Sequence, residues 1–256
     1  MCLIILAVKS HPSYKLILAA NRDEYYDRPS APAGLWKESP GLLAGRDLRA
    51  GGTWLGITTK GRITAITNYR DPASLKTHAP SRGMLVTDFL LGKESPVAYL
   101  ERIDQKADKY NGFNLIVGDK DELCWYSNRG DGARSLGPGI YGVSNRLLDT
   151  PWPKVTRAKE AFQRLLSNEE KPDPEGIFHL LVDRSIADDK DLPDTGVEIE
   201  WERTLSPIFI TSPVYGTRSS TIILIDSNDH VTFIERTFNS DMNHAPTARY
   251  EFRIES

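Results

Sequence analysis

Only two cysteines, Cys2 and Cys124, occur in the 256 residues. Two thiols make no disulfide framework and no paired metal-ligand spacing, so the expected compartment is reducing and cytoplasmic. Charge of one sign is also lacking: 32 basic side chains face 35 acidic ones, a net −3. Nothing in that balance suggests general attraction to nucleic acid or to an acidic membrane, and only a local basic patch is left open. No apolar run approaches the length needed to span a bilayer. The first run lacks a basic leader and breaks at Lys9, His11 and Pro12, which argues against a signal peptide. Residue 2 is not glycine, which excludes myristoylation. No Gly-x-Ser-x-Gly elbow exists, and the histidines (His11, His78, His179, His230 and His244) fall in or near turns or on a helix. Serine–histidine chemistry is disfavoured accordingly. Gly51-Gly52-Thr53 leads into a strand with no Gly-Lys-Ser/Thr after it, so it reads as close backbone packing beneath Trp54 rather than a phosphate loop.

What is present begins at the amino terminus. Cys2 to Val8 and Lys15 to Ala20 are apolar runs of strand length around His11-Pro12-Ser13-Tyr14. That is a hairpin signature. In an antiparallel hairpin the start of one strand lies beside the end of the other. Cys2 is therefore expected beside Asn21-Arg22-Asp23-Glu24. Removal of Met1 would make Cys2 the terminus. A free thiol has a pKa of about 8.5 and an α-amine one of about 7.7–8.0, so the amine of Cys2 could accept the thiol's proton. Arg22 could lower the thiol pKa, and Asp23 could hold the ammonium or orient the amine. The bland alternative is a packed thiol beside a solvated strand end.

Three Xaa-Pro steps make 25–40 a loop, denied helix or central strand. Strands are expected at 53–58, 62–68, 112–118, 123–127, 139–145, 221–226 and 230–235, with Arg218 entering at the start of the 221–226 strand and an edge strand at 248–255. Helices are expected at 81–91, from Pro96, at 149–167 and at 174–183. The acidic stretch 186–203 reads as a surface loop. Eight to ten strands and four helices, with the helices in two blocks, fit one α+β domain over 1–256. Its expected architecture is a four-layer αββα sandwich of two antiparallel sheets between helices.

Asn21-Arg22-Asp23-Glu24 after Met-Cys resembles the NRDE family, also called the transport-and-Golgi-organisation protein 2 family. The resemblance continues through Gly45-Arg46-Asp47, Gly51 to Gly56, Thr67-Asn68-Tyr69-Arg70, Tyr141 to Asn145 and Tyr215-Gly216-Thr217-Arg218. It covers most of the chain, in order. It implies a relation to N-terminal-nucleophile hydrolases and cleavage of an amide (C–N, non-peptide) bond in a small acylated compound, with no cofactor. Carried over, Cys2 is the nucleophile and its amine the base. Asp23 binds the amine, and Arg22 or Arg218 polarises the thiol. Asn145, helped by Asn68 and Tyr69, forms the oxyanion hole. Related acylases space the arginine and aspartate further apart. Strand neighbours point to opposite faces, so Arg22 and Asp23 share a site only if the strand has ended or bulged. The alternative implied by the family is a non-enzymatic carrier of haem or a lipid-like hydrophobic ligand, linked to Golgi organisation and secretion. Its haem ligand would be Cys2, a histidine or Met84. Neither reading involves nucleic acid or a transmembrane segment.

Overall fold

The computed structural model describes residues 2–168, 171–239 and 247–255. The chain forms two compact units. The first comprises Met1–Asp27, Pro138–Ser144 and Leu148–Glu251; the second comprises Arg28–Gly137, Asn145–Leu147 and Phe252–Ser256.

The first unit begins with the expected hairpin, β1 (Cys2–His11) and β2 (Tyr14–Tyr25). Both faces of this pair are buried over Leu3–Val8 and Leu16–Ala20. Its sequence is therefore continuously apolar rather than alternating. A register shift between Val8 and His11 places Lys9 at a positive φ of 44°.

The second unit is a seven-stranded antiparallel meander, paired in chain order. Its strands are β3 (Ser30–Trp36), β4 (Ser39–Asp47), β5 (Leu55–Thr58), β6 (Ile63–Asn68), β7 (Phe113–Gly118), β8 (Leu123–Ser127) and β9 (Arg134–Ser135). The segment expected to be a loop thus contains β3. It lies at the sheet edge, and its pairing with β4 skips between Ala31 and Gly34, around Pro32. A proline is tolerated at such an edge irregularity, where no ladder N–H is required. Helices α1 (Gly83–Leu91) and α2 (Pro96–Asp104) cover one sheet face. Leu85, Val86, Phe89, Tyr99, Leu100 and Ile103 pack there with Leu115, Val117 and Cys124. Gly92 ends α1, and Ser95 caps α2 by accepting from Ala98 N at 3.3 Å. The glycine-rich stretch serves packing: a Cβ on Gly52 would lie 2.6 Å from the Gly83 backbone, and one on Gly45 would strike the Trp54 ring.

Back in the first unit come β10 (Gly139–Val143), α3 (Pro153–Asn168), α4 (Pro174–Leu181), α5 (Ile199–Leu205), β11 (Tyr215–Asp226), β12 (His230–Thr237) and, up to Glu251, β13 (Ala248–Arg253). The sheet order is β10-β1-β2-β11-β12-β13. Helix α3 starts four residues later than expected, because Asp149 holds φ 59° and receives Gly142 N on its carboxylate at 2.8 Å. Val155, Ala158 and Phe162 of α3, with Ile177, Phe178 and Leu181 of α4, cover Leu3, Ile5, Ala7, Ile17 and Ala19. The acidic stretch expected as a surface loop contains α5, whose Glu202 is buried and accepts from Thr195 N at 3.1 Å. The described residues hold thirteen strands and five α-helices, and the class is α+β.

Candidate active site

Cys2 pairs directly with Arg22 across β1 and β2. Direct partners project from the same face. Cys2 is half-buried and Arg22 buried. Burial pushes the thiol pKa up, and so does the negative charge of Asp23; the Asp23 backbone N–H, which hydrogen-bonds the sulfur, and the Arg22 guanidinium pull it down. The site therefore destabilises a bare thiolate while supplying two groups that favour one. Ser144 Oγ donates to Cys2 O at 2.9 Å and fixes the strand start. Arg22 Nη2 reaches Glu24 Oε2 only at 4.0 Å.

Asp23 lies between Arg22 and a one-residue bulge in the neighbouring strand. Thr217 pairs with Asp23 and Ser219 with Arg22, leaving Arg218 as the extra residue. Thr217 Oγ1 donates to Asp23 Oδ1 at 2.7 Å and itself accepts from Ile210 N at 2.9 Å. Tyr215 Oη donates to Asp23 O at 2.9 Å. Alternation sends the Asp23 carboxylate to the face opposite Arg22, while its amide reaches the Cys2 sulfur. Burial raises the Asp23 pKa; the positive charges of Lys154 and Arg22 and the Thr217 hydrogen bond oppose that rise.

Asn21, the first residue of the motif, is an internal clamp. It accepts from Ser220 Oγ at 2.6 Å and donates to Leu181 O at 2.8 Å and Ile208 O at 2.9 Å. The end of α4 and the segment before β11 are thereby tied to β2.

Lys154 was not found from the sequence. It is 2% exposed, and its ammonium donates to Leu205 O at 2.9 Å. A lysine in the first turn of α3 opposes the helix dipole, which favours acids there. That mismatch is the signal by which it could have been noticed.

Arg218 serves the strand end. Its Nη1 donates to Tyr25 O at 2.9 Å and Tyr26 O at 3.2 Å, with the guanidinium 5.8 Å from the Tyr26 ring centre. The first unit thus gathers Cys2, Arg22 and Asp23 and turns Arg218 toward Tyr25 and Tyr26.

The second unit gathers the other three expected residues. Buried Asn145 donates through Nδ2 to Asn68 O at 2.7 Å and accepts Arg70 N at 2.8 Å. Tyr69 N donates to Gly112 O at 2.9 Å, and the Arg146 guanidinium lies 5.1 Å over the Tyr69 ring. An amide NH2 has two donors, and Asn145 places one on Asn68.

Among the described residues no group of three His, Cys, Asp or Glu side chains could hold a metal ion, and no helix is long and apolar enough to cross a membrane. Of the groups expected as haem ligands, His11 accepts Ser13 N on Nδ1 at 3.2 Å and packs edge-on against Tyr14. Met84 is 39% exposed on the first turn of α1. His244 lies outside the described residues.

A family model described as Transport and Golgi organisation 2 matches residues 1–240. The chain belongs to the Transport and Golgi organisation 2 family. A human relative, Transport and Golgi organization protein 2 homolog, is 39% identical, covering 100% of both chains. The Drosophila melanogaster Transport and Golgi organization protein 2 is 29% identical over 93% of this chain and 92% of its own. A solved structure, the C2A mutant of conjugated bile acid hydrolase from Clostridium perfringens, superposes with a TM-score of 0.51 at 9% identity. It covers 99% of this chain and 97% of that one. This family member therefore has the fold expected of it, that of the N-terminal-nucleophile hydrolases.

Proposed function

We propose that the protein is a cysteine-dependent amide hydrolase whose nucleophile is Cys2 after removal of Met1. The reading is carried by one observation: Cys2 lies directly opposite Arg22, with the Asp23 amide on its sulfur. The likeness in fold to a protein titled a hydrolase agrees with it.

In the proposed reaction the Cys2 amine takes the thiol proton as sulfur attacks the amide carbon. Arg22 and the Asp23 N–H stabilise the negative sulfur. The ammonium returns the proton to the leaving nitrogen, the C–N bond breaks, and an acyl thioester remains on Cys2. Water, deprotonated by the same amine, attacks the thioester, releasing a carboxylic acid and restoring the thiol. The Asp23 carboxylate, fixed by Thr217, holds the ammonium formed in each half. The substrate class is a small acylated amine, and the family's description, Transport and Golgi organisation 2, agrees with a cellular consequence in transport and Golgi organisation.

The test is acid release from a panel of N-acyl amines by protein purified from its native host. Turnover that is abolished in C2A supports the reading. Absence of turnover across the panel, or turnover unchanged in C2A, contradicts it. No step of this reaction is carried through haem.

A further inference from the structure

We infer that Lys154 is a positioning residue for the Asp23 carboxylate: its buried ammonium is the fixed cation that keeps Asp23 ionised while the Cys2 amine is neutral and free to take the thiol proton. The role rests on the reading of Cys2 above and names what sets the charge of its acid. Lys154 is buried in the first turn of α3. Helix α3 covers the sheet face that carries Leu3, Ile5, Ile17 and Ala19. Alternation along β2 sends Asp23 to this same face and Arg22 to the other. Lys154 is thus on the carboxylate's side of the sheet. Its ammonium donates to Leu205 O at 2.9 Å. Leu205 packs with Ile210 and Tyr215, the two residues tied to Asp23. Tyr215 Oη donates to Asp23 O at 2.9 Å. Ile210 N donates at 2.9 Å to the Thr217 hydroxyl, which donates to Asp23 Oδ1 at 2.7 Å. One cluster therefore anchors the ammonium and the carboxylate.

A buried acid without a nearby cation keeps its proton, because burial penalises the charged form. Asp23 is buried, and that burial raises its pKa. The positive amino terminus opposes the rise, and Lys154 comes next, ahead of the Thr217 hydrogen bond and Arg22. In the proposed reaction the amine must start neutral to accept the thiol proton. The opposition from the terminus is then gone, and Lys154 is the leading cation acting on the acid. Its charge lies outside the proton path and stays in place through both halves of the reaction. Asp23 is thereby an anion before the ammonium forms. The other charged or titratable groups around it are Cys2 on β1, Arg22 on β2 and Tyr26 just beyond β2. On β11, Arg218 is turned to Tyr25 O and Tyr26 O. On α5, Glu202 is buried and accepts from Thr195 N. Cys2, Tyr26 and Glu202 add only negative charge on ionising, and Lys154 is the cation set against the acid from the helix side.

The experiment titrates the Asp23 carboxylate in the full processed chain, by NMR of protein labelled at its aspartate carboxyl carbons, with D23N assigning the signal. In the wild type Asp23 is ionised at neutral pH. In K154M its titration moves up by at least about one pH unit, and in K154R, which keeps the charge, most of that shift is absent. The N-acyl amine that the wild type cleaves best gives a second readout. In K154M the acid limb of the kcat profile moves up by the same interval while KM holds, a loss of about tenfold within that limb. An Asp23 protonated at neutral pH in the wild type, a result that needs no variant to fold, overturns the role of Lys154. So does a titration unmoved in K154M. Absence of turnover in the wild type, with the titration moving as stated, overturns the hydrolase reading and supports the pairing of Lys154 with Asp23.

Discussion

Thr217 holds Asp23 from the neighbouring strand: its hydroxyl donates to the carboxylate at 2.7 Å, across a pairing that the bulge at Arg218 brings into register. Without that extra residue, Asp23 would face a different partner. The same hydroxyl accepts Ile210 N, so a single side-chain oxygen serves a buried acid and a buried amide.

Replacing Thr217 by valine keeps the shape and removes both bonds. The variant should lose about 1–3 kcal/mol, the cost of leaving buried polar groups unpaired. Thr217→Ser should recover most of it. Urea unfolding of the two variants measures the difference.

Asp23 gives a pH dependence. Its folded-state pKa is raised, so the native state holds the proton more tightly than the unfolded chain does. The stability this contributes is fully present below the ordinary carboxylate pKa of about 3.9 and is lost as pH rises through the higher folded value. Relative to D23N, the wild type should therefore weaken as pH climbs through that interval. Lys154 pulls the Asp23 pKa down, so K154M should deepen the loss. Denaturation midpoints across a pH series test both.

Asn21 should behave as structure. N21A strips donors from Leu181 O and Ile208 O and the acceptor from Ser220. A loss of about 2–5 kcal/mol is expected from these buried groups. The pH profile of Cys2 alkylation in the folded variant should not move. A shifted profile would show that Asn21 acts on the thiol.

Much of this architecture was legible because the signals were local. The β1–β2 hairpin follows from two apolar runs around Pro12, and the helix limits at Ser95-Pro96 and Gly92 from local stop and start chemistry. What was missed depends on partners. β3 is a strand only because β4 accepts an irregular edge around Pro32. α5 is a seven-residue helix, too short to show a period, and its burial rests on Glu202 meeting Thr195. At the site, Cys2 beside the Asn21-Arg22-Asp23-Glu24 cluster could be read from the hairpin, and the register that makes Arg22 its direct partner came from the structure. The bulge at Arg218 could not, since a bulge is a relation between strands. Lys154 is likewise defined by Leu205 O and Asp23, far away in sequence.

Arg22 should matter to sulfur chemistry. It lowers the Cys2 pKa, so R22Q raises it further and reduces the thiolate present at neutral pH. Alkylation should slow by about threefold to tenfold, since thiolate loss is partly offset by greater nucleophilicity. Rates at several pH values separate the two effects.

The central claim is that Cys2 is a terminal, competent nucleophile. The most direct test is intact mass of protein from its native host, before and after brief treatment with a cysteine-directed electrophile. The account predicts a chain lacking Met1 and carrying one fast adduct on Cys2. Cys124 should stay unmodified at neutral pH, being buried in the second unit with its pKa pushed up to about 11. Retained Met1, or a Cys2 no faster than Cys124, would contradict it.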